Sequence, residues 1–198
     1  MDLKTAILIG PSGCGKGTQA KLLKEYLEKN DTERETLYLQ SGEKFREFIK
    51  EEGYTQDKVR EVLSTGGLNP GFMAIWVWAS MFIEQLKENQ HLVTDGFPRR
   101  ADESPLLHSA FEFYERKNPT VISFEVDDEV IVERLVHGRK RSDDTPEAVA
   151  ERLRFFRKNV RLAIKYFEEH PFYTVAHIDG NQVPEEVHKD ILKALELA

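Results

Sequence analysis

The sequence has almost no cysteine, no long apolar run and no excess of basic residues. Its one cysteine, Cys14, excludes an internal disulfide framework and a cysteine-based zinc site. The most apolar run, residues 72–79, is far shorter than the roughly 20 residues that span a bilayer. The basic-then-apolar pattern of a signal peptide is also missing from the first residues. We therefore expect a soluble, cytoplasmic protein without a membrane partner.

The charge balance narrows the classes of ligand. A net charge of −7 disfavours sequence-independent nucleic-acid binding, which needs a basic face. An anionic small substrate is still compatible with this charge, because clustered arginines can focus a positive field within an acidic protein. With 198 residues, of which 40% are hydrophobic, the chain can form one core. We expect a single domain over residues 1–198 and a monomer.

Short apolar runs alternate with longer helical patterns along the chain. Apolar strands buried on both faces are typical of a parallel sheet. Strand–helix alternation indicates an α/β fold around such a sheet. Residues 41–67 depart from the rhythm, since they are helical and charged and lie between two strands. The predicted strands are residues 6–9, 36–39, 91–94, 121–126 and 175–178.

The helix predicted after residue 70 is the most apolar one, and its spacing suggests which face is buried. Because Trp76 and Trp78 point to different faces, we expect at most one of them to be in the core. The residues that share the expected core face are Phe72, Ile75, Ala79, Phe82 and Leu86.

A glycine-rich loop follows the first strand and opens the first helix. Residues 10–16 read Gly-Pro-Ser-Gly-Cys-Gly-Lys, the pattern and context of a phosphate-binding loop. Glycines let the backbone N–H groups point at phosphate oxygens, and the helix N-terminus adds its positive end. Lys16 supplies a cation for the outer phosphates. Gly17 follows the lysine and the hydroxyl comes later, at Thr18, so Mg²⁺ would be held by nucleotide phosphates and waters.

Four motifs, in order along the chain, resemble those of the adenylate kinase family of nucleoside monophosphate kinases. Residues 10–19 resemble the family's phosphate loop, and residues 41–46 are similar to its Thr-Gly-Asp-x-Leu-Arg. Residues 95–99 match its Asp-Gly-Phe-Pro-Arg. Residues 139–144 read Arg-Lys-Arg-Ser-Asp-Asp and are followed by Arg152 on the next predicted helix. The resemblance covers nearly the whole chain.

The resemblance implies a fold and an activity. The fold would be a three-layer P-loop fold with a central five-stranded parallel sheet. Residues 41–67 would form a helical monophosphate-binding insertion and residues 137–143 a minimal lid, since only Lys140 separates the two arginines of that motif. The activity would be transfer of the γ-phosphoryl group of ATP to a monophosphate, with AMP the best single candidate. A UMP/CMP-type or broad-specificity kinase is the alternative.

The resemblance also assigns roles to individual residues. Asp95, with Glu43 assisting, would order waters around Mg²⁺. The residues implied in ATP binding are Gly10, Gly13, Cys14, Gly15, Lys16, Gly17, Thr18 and Arg139. Those implied in monophosphate binding are Ser41, Gly42, Arg46, Leu68, Gly96, Arg99 and Glu103. The catalytic residues would be Lys16, Arg99, Arg139, Arg141 and Arg152.

Glu103 is a departure from the family pattern. Adenylate-specific members carry a Gln at this position, four residues after the arginine of Asp-Gly-Phe-Pro-Arg, where it hydrogen-bonds adenine. An ionised carboxylate accepts from an exocyclic amine but cannot donate to a ring nitrogen. Cytosine or guanine therefore become more plausible substrates. In the other interpretation Glu103 points to solvent at the start of a helix, where acidic residues are favoured.

Several residues also have structural interpretations. Cys14 is expected to be a small loop filler, and Asp143 and Asp144 to cap the next helix and pair with neighbouring arginines. Isolated arginines are usually surface charges, which we expect of Arg60, Arg116 and Arg157.

Two rival functions fit less well. A GTPase-like switch would need a guanine-reading Asn-Lys-x-Asp, which the sequence lacks. A kinase for a non-nucleotide small molecule would not be expected to carry the motif of residues 95–99.

Overall fold

Five parallel strands form the centre of the computed structural model, which describes residues 1–64, 67, 69–139, 141 and 144–198. The strands lie in the order β2-β3-β1-β4-β5. This confirms the predicted α/β fold with a five-stranded parallel sheet, and each predicted strand matches an observed one to within a residue at either end. The strands are β1 (Thr5–Ile9), β2 (Thr36–Gln40), β3 (His91–Asp95), β4 (Thr120–Glu125) and β5 (Thr174–Asp179).

Helices cover both faces of the sheet and make a three-layer structure. Successive strand residues point to opposite faces, so Leu8 joins the core beneath α1, α7 and α9, while Ile7 joins the core beneath α4, α5 and α8. Two short π-helical segments, Glu133–Arg139 and Phe156–Val160, follow α6 and α7. The helices are α1 (Lys16–Asn30), α2 (Ser41–Phe48), α3 (Tyr54–Ser64), α4 (Gly71–Gln85), α5 (Glu103–Phe113), α6 (Asp128–Val132), α7 (Pro146–Phe155), α8 (Arg161–Glu168) and α9 (Pro184–Ala194).

Most of the face predicted for α4 packs as expected, since Phe82 is buried and Ile75, Ala79 and Leu86 are partly buried against the same core, but Phe72 points outward. Phe72 is 68% exposed, and Trp78 is buried while Trp76 is not, as expected for the tryptophans. Apolar residues surround this helix on nearly every side, so their periodicity could not identify which of them are most deeply buried. Among the helices of the described residues, none is long and apolar enough to cross a membrane. The buried residues of α4 are Met73, Val77, Trp78, Met81 and Phe82.

Arg116, in the connection after α5, is buried, and its expected surface position was wrong. Its guanidinium donates to Thr5 Oγ1 at 2.8 Å, to the Gln90 carbonyl at 2.9 Å and to the Lys4 carbonyl at 3.1 Å. These contacts tie together the beginnings of β1 and β3. Because the acceptors are distant in sequence, no local pattern could reveal them. The other two arginines, Arg60 and Arg157, lie at the surface beside acidic residues as expected.

Candidate functional site

The glycine-rich loop lies between β1 and α1, against the end of β4. Gly13 and Gly15 have φ of 87° and 102°, in the left-handed region that favours glycine. A side chain at Gly10 would lie 2.8 Å from Phe124 Cβ, so the close approach to β4 also requires glycine. Helix α1 begins at Lys16, directly after this curled backbone. The predicted loop and its connection to the helix are therefore present.

The ammonium group of Lys16 lies inside the loop. Its Nζ donates to the carbonyls of Gly10 and Pro11, both at 2.8 Å, and contacts Cys14 Sγ at 3.5 Å. Cys14 is 2% exposed, and burial raises the pKa of its thiol above the usual value. A neutral, buried thiol packed in the core agrees with its interpretation as a loop filler.

Asp95 ends β3 beside the first turn of α1. In register it pairs with Leu8 of β1 and with Gln40 of β2. Its Oδ2 accepts from Tyr38 Oη at 3.2 Å and from Gln40 Nε2 at 3.0 Å. A Cβ at Gly17 would lie 4.0 Å from the same oxygen. The carboxylate is thus fixed next to the phosphate loop.

Sequence reasoning identified Asp95 but missed the two side chains that orient it. Tyr38 and Gln40 alternate along β2 and therefore point to the same face at the end of that strand. The alternation, together with the pairing of β2 and β3, is the signal that could have found them.

Two arginines converge on the start of α2 and form a candidate phosphate site. Arg99 Nε donates to the Gly96 carbonyl at 2.6 Å, and Ser41 Oγ donates to the same oxygen at 2.8 Å. A Cβ at Gly42 would lie 3.3 Å from Arg46 Nη1 and 3.9 Å from Arg99 Nη2. The two guanidinium groups therefore meet across a glycine, where a backbone without a side chain leaves them room to face one anion.

Several charged side chains lie close enough to Arg99 to shift its pKa. Burial is the main cause that lowers the pKa of Arg99, and the nearby cations Arg152 and Arg46 lower it further. Asp95 and Glu103 act in the opposite direction. Arg46 and Arg152 thus lie close enough to repel Arg99, an arrangement that an anionic ligand would relieve.

Asp144 joins two of the predicted catalytic arginines. Arg139 donates to it with Nε at 2.8 Å and Nη2 at 2.6 Å, and Arg152 donates with Nη1 at 2.8 Å. Burial opposes ionisation of Asp144, but the hydrogen bonds from Arg139 and Arg152 outweigh it and lower its pKa to about 2. The expected pairing of Asp144 with arginines is confirmed. The helix cap is instead Thr145, whose Oγ1 accepts from the Ala148 N–H at 3.2 Å.

Other predicted residues are less closely tied to the site. Arg141 has an exposed side chain, and its N–H donates to Asp144 Oδ2 at 3.2 Å. Thr18 and Glu43 are exposed in the first turns of α1 and α2. Leu68, Lys140 and Asp143 lie outside the described residues, so the predicted bounds of the insertion and the lid stay predictions.

Glu103 is not at the surface, and the interpretation in which it faces solvent was wrong. It stands in the first turn of α5 and is 1% exposed. Burial raises its pKa to about 7, although Arg99 favours the charged form.

Comparisons with known proteins agree with the geometry. A family model described as adenylate kinase matches residues 8–171. The chain is 28% identical to "Adenylate kinase 1" of a Nostoc species, covering 96% of this chain and 97% of that protein. It is 29% identical to the adenylate kinase of Corynebacterium urealyticum, covering 96% and 98%, and 31% identical to that of a Cyanothece species, covering 93% and 91%. With a model matching most of its length and relatives aligned nearly end to end, the chain belongs to the adenylate kinase family.

Proposed function

We propose that this protein transfers the γ-phosphoryl group of ATP to AMP and releases two molecules of ADP. The observation that carries the proposal is the meeting of Arg46 and Arg99 across Gly42, next to Asp95 and the phosphate loop. A phosphate-binding loop accounts for one nucleotide, and a second cationic site beside it accounts for an acceptor that carries its own phosphate. The relatives are adenylate kinases by name, which supports AMP as that acceptor.

The donor side is built from the loop and the lid arginines. Lys16 and the loop amides bind the outer phosphates of ATP, with Arg139 closing over them. Arg152 and Arg141 face the transferring phosphoryl group. Asp144 keeps Arg139 and Arg152 in place and stays ionised at neutral pH, because its pKa is about 2. The other residues that contribute to the donor side are Gly10, Gly13, Cys14, Gly15, Gly17 and Thr18.

The acceptor side needs no general base. Arg46 and Arg99 bind the phosphate of the monophosphate. The residues that line its binding site are Ser41, Gly42 and Gly96. An oxygen of this phosphate attacks the terminal phosphorus of ATP, and the bond from that phosphorus to the bridging oxygen breaks. The attacking group is already anionic, so catalysis consists of alignment and stabilisation of charge by arginine and lysine.

Mg²⁺ belongs to the proposal as a cofactor that arrives with ATP. Mg²⁺ usually keeps several waters and takes one or two carboxylates plus phosphate oxygens. The residues fit this mode. Among the described residues no three His, Cys, Asp or Glu side chains form a metal cluster. Tyr38 and Gln40 both donate to Oδ2 of Asp95, so water can bind at Oδ1. When bound, the ion would neutralise phosphate charge, and Asp95 would hold its waters in place.

We further propose that the protein is a cytoplasmic monomer. The single cysteine suits a reducing compartment.

A UMP/CMP-type or broad-specificity kinase is the second candidate. The observation that favours it is Glu103, at the position where adenylate-specific relatives carry Gln.

The test is a coupled assay of ADP formation with ATP and Mg²⁺ against AMP, CMP, UMP and GMP. We expect the highest kcat/KM with AMP. We expect no turnover in Lys16→Met, because the methionine thioether cannot replace the lysine cation on the outer phosphates. The melting temperature of Lys16→Met, measured in parallel, shows whether the fold survives. A correctly folded Lys16→Met with normal turnover would overturn the donor-side assignment, and a fastest reaction with another base would overturn the choice of AMP.

A further inference from the structure

The phosphate loop carries no hydroxyl group on the residue that follows Lys16. In many other phosphate loops that residue is Ser or Thr, and its hydroxyl binds Mg²⁺, but here it is Gly17. A Cβ at this position would lie 3.6 Å from Gln40 Nε2, 3.9 Å from Tyr38 Oη and 4.0 Å from Asp95 Oδ2. The space that a loop hydroxyl would enter is therefore bordered by polar atoms from β2 and β3.

Tyr38 brings a hydroxyl group to this space from β2. Its Oη donates to Asp95 Oδ2 at 3.2 Å, and Gln40 Nε2 donates to each of these two oxygens at 3.0 Å. The Tyr38 ring packs against the core beneath α1, which fixes the position of the hydroxyl. A hydroxyl oxygen has two lone pairs. Gln40 uses one of them, so Tyr38 Oη can accept a second hydrogen bond.

The groups around the Tyr38 hydroxyl keep it protonated. Burial is the main cause that raises its pKa above the ordinary value, and the charge of Asp95, the hydrogen bond to it and the charge of Glu43 act in the same direction. Arg46 opposes them and has the smallest influence. The hydroxyl therefore gives its one proton to Asp95 at neutral pH, and any further partner of Tyr38 Oη has to be a donor.

We propose that Tyr38 is a positioning residue for Mg²⁺, which supplies from β2 the hydroxyl that Gly17 lacks. The hydroxyl holds Oδ2 of Asp95 and accepts a hydrogen bond from a water in the shell of the ion, while Gln40 keeps both groups in place. Mg²⁺ usually retains several waters, and a water bound to a cation directs its hydrogens outward, so it is the donor that Tyr38 Oη requires. This inference rests on the proposed function, since it takes ATP with Mg²⁺ as the phosphoryl donor.

The experiment measures how much Mg²⁺ strengthens the binding of a non-hydrolysable ATP analogue. Isothermal titration calorimetry without a monophosphate gives one dissociation constant in Mg²⁺ and one in EDTA, and their ratio is the magnesium enhancement. Tyr38→Phe removes only the hydroxyl, and we expect it to lower this enhancement by roughly threefold to tenfold, the effect of one hydrogen bond. The constant in EDTA should stay at the wild-type value, because the ring and its packing are kept.

A second substitution tests the place of the hydroxyl. Gly17→Ser, added to Tyr38→Phe, returns a hydroxyl to the loop itself, and its Cβ has room because the three nearest atoms lie at 3.6 Å or more. We expect this double variant to recover part of the lost enhancement. The matched control is Tyr26→Phe, which removes a hydroxyl that donates to the Leu197 carbonyl at 2.7 Å, near the end of the chain. It should keep the wild-type enhancement.

Melting temperatures show that each variant is folded, and the binding data then decide. An unchanged enhancement in Tyr38→Phe, or an equal loss of affinity in Mg²⁺ and in EDTA, would overturn the inference, since the second result is that of a residue that only supports the sheet. A double variant without any recovery would also contradict it. These outcomes leave the kinase activity standing. A wild-type protein that transfers phosphoryl to no monophosphate would instead overturn the proposed function, and the inference with it.

Discussion

Arg152 lies close enough to Arg99 to lower its pKa, yet the two arginines are held by different partners. Arg99 is bound to the Gly96 carbonyl beside the start of α2, on the proposed acceptor side. Arg152 is bound to Asp144, which also holds Arg139. We infer that Arg99 contacts the monophosphate already in the ground state, whereas Arg152 gains most as charge develops on the transferring group.

This difference predicts different kinetic defects. Arg99→Ala should mainly raise the KM for the monophosphate, since a charge-assisted contact contributes about 1.5–3 kcal/mol. Arg152→Ala should mainly lower kcat, by roughly 10³-fold or more, as for arginines that stabilise phosphoryl transfer elsewhere. Steady-state kinetics with varied monophosphate measures both constants. The surface variant Arg157→Ala, as a control, should change neither, and equal defects in both constants at Arg99 and Arg152 would contradict the assignment.

The burial of Glu103 makes the free energy of unfolding depend on pH. Its folded-state pKa of about 7 lies above the usual value, so the folded protein binds more protons than the unfolded chain between these values. Stability from this group is therefore full below about pH 4 and is lost as the pH rises through about 7. Denaturant unfolding of wild type and Glu103→Gln at about pH 5 and about pH 8 should show the variant gaining relative stability at the higher pH. A pH-independent difference would mean that the carboxyl group is solvated.

At the level of strands and helices, Arg116 joins two strands by hydrogen bonds at the end of the sheet that is away from the site. It connects the beginnings of β1 and β3, whereas the phosphate loop and Asp95 lie at their ends. Arg116→Ala should lower the free energy of unfolding by about 2–4 kcal/mol, because buried acceptors lose their donor, and kcat should stay close to normal. Chemical denaturation gives the first quantity, and Arg157→Ala should change it by less than about 0.5 kcal/mol. Stability of Arg116→Ala equal to that of wild type would contradict this role.

Features set by neighbouring residues could be predicted from the sequence, and features set by residues distant in the chain could not. The strands and the loop of residues 10–16 could be predicted, because apolar runs and glycines act within a few residues. The exposure of Phe72 in α4 could not, because with apolar residues on nearly every side the most deeply buried ones are decided by the packing against the sheet. The contacts of Arg116, and the hydrogen bonds from Tyr38 and Gln40 to Asp95, join residues far apart in the chain. They become visible only once the strand order is known.

For the whole molecule, the order of the strands brings the two nucleotide sites together. β1 lies between β3 and β4, so the phosphate loop that follows β1 is next to the Asp95–Arg99 segment that follows β3. β2 lies on the other side of β3 and leads directly into α2, which contains Ser41, Gly42 and Arg46. Ligands of open parallel sheets bind at these carboxyl ends. One edge of one sheet thus provides the donor side and the acceptor side.

The central claim is that phosphoryl is passed between two nucleotides and not to water. It is tested most directly by incubating the protein with Mg²⁺ and ATP labelled in its γ-phosphate, with and without AMP, and locating the label. We predict that the label appears in the β-phosphate of ADP only when AMP is present, with two ADP formed for each AMP consumed. Label released as inorganic phosphate at the same rate with and without AMP, with none in ADP, would contradict the account.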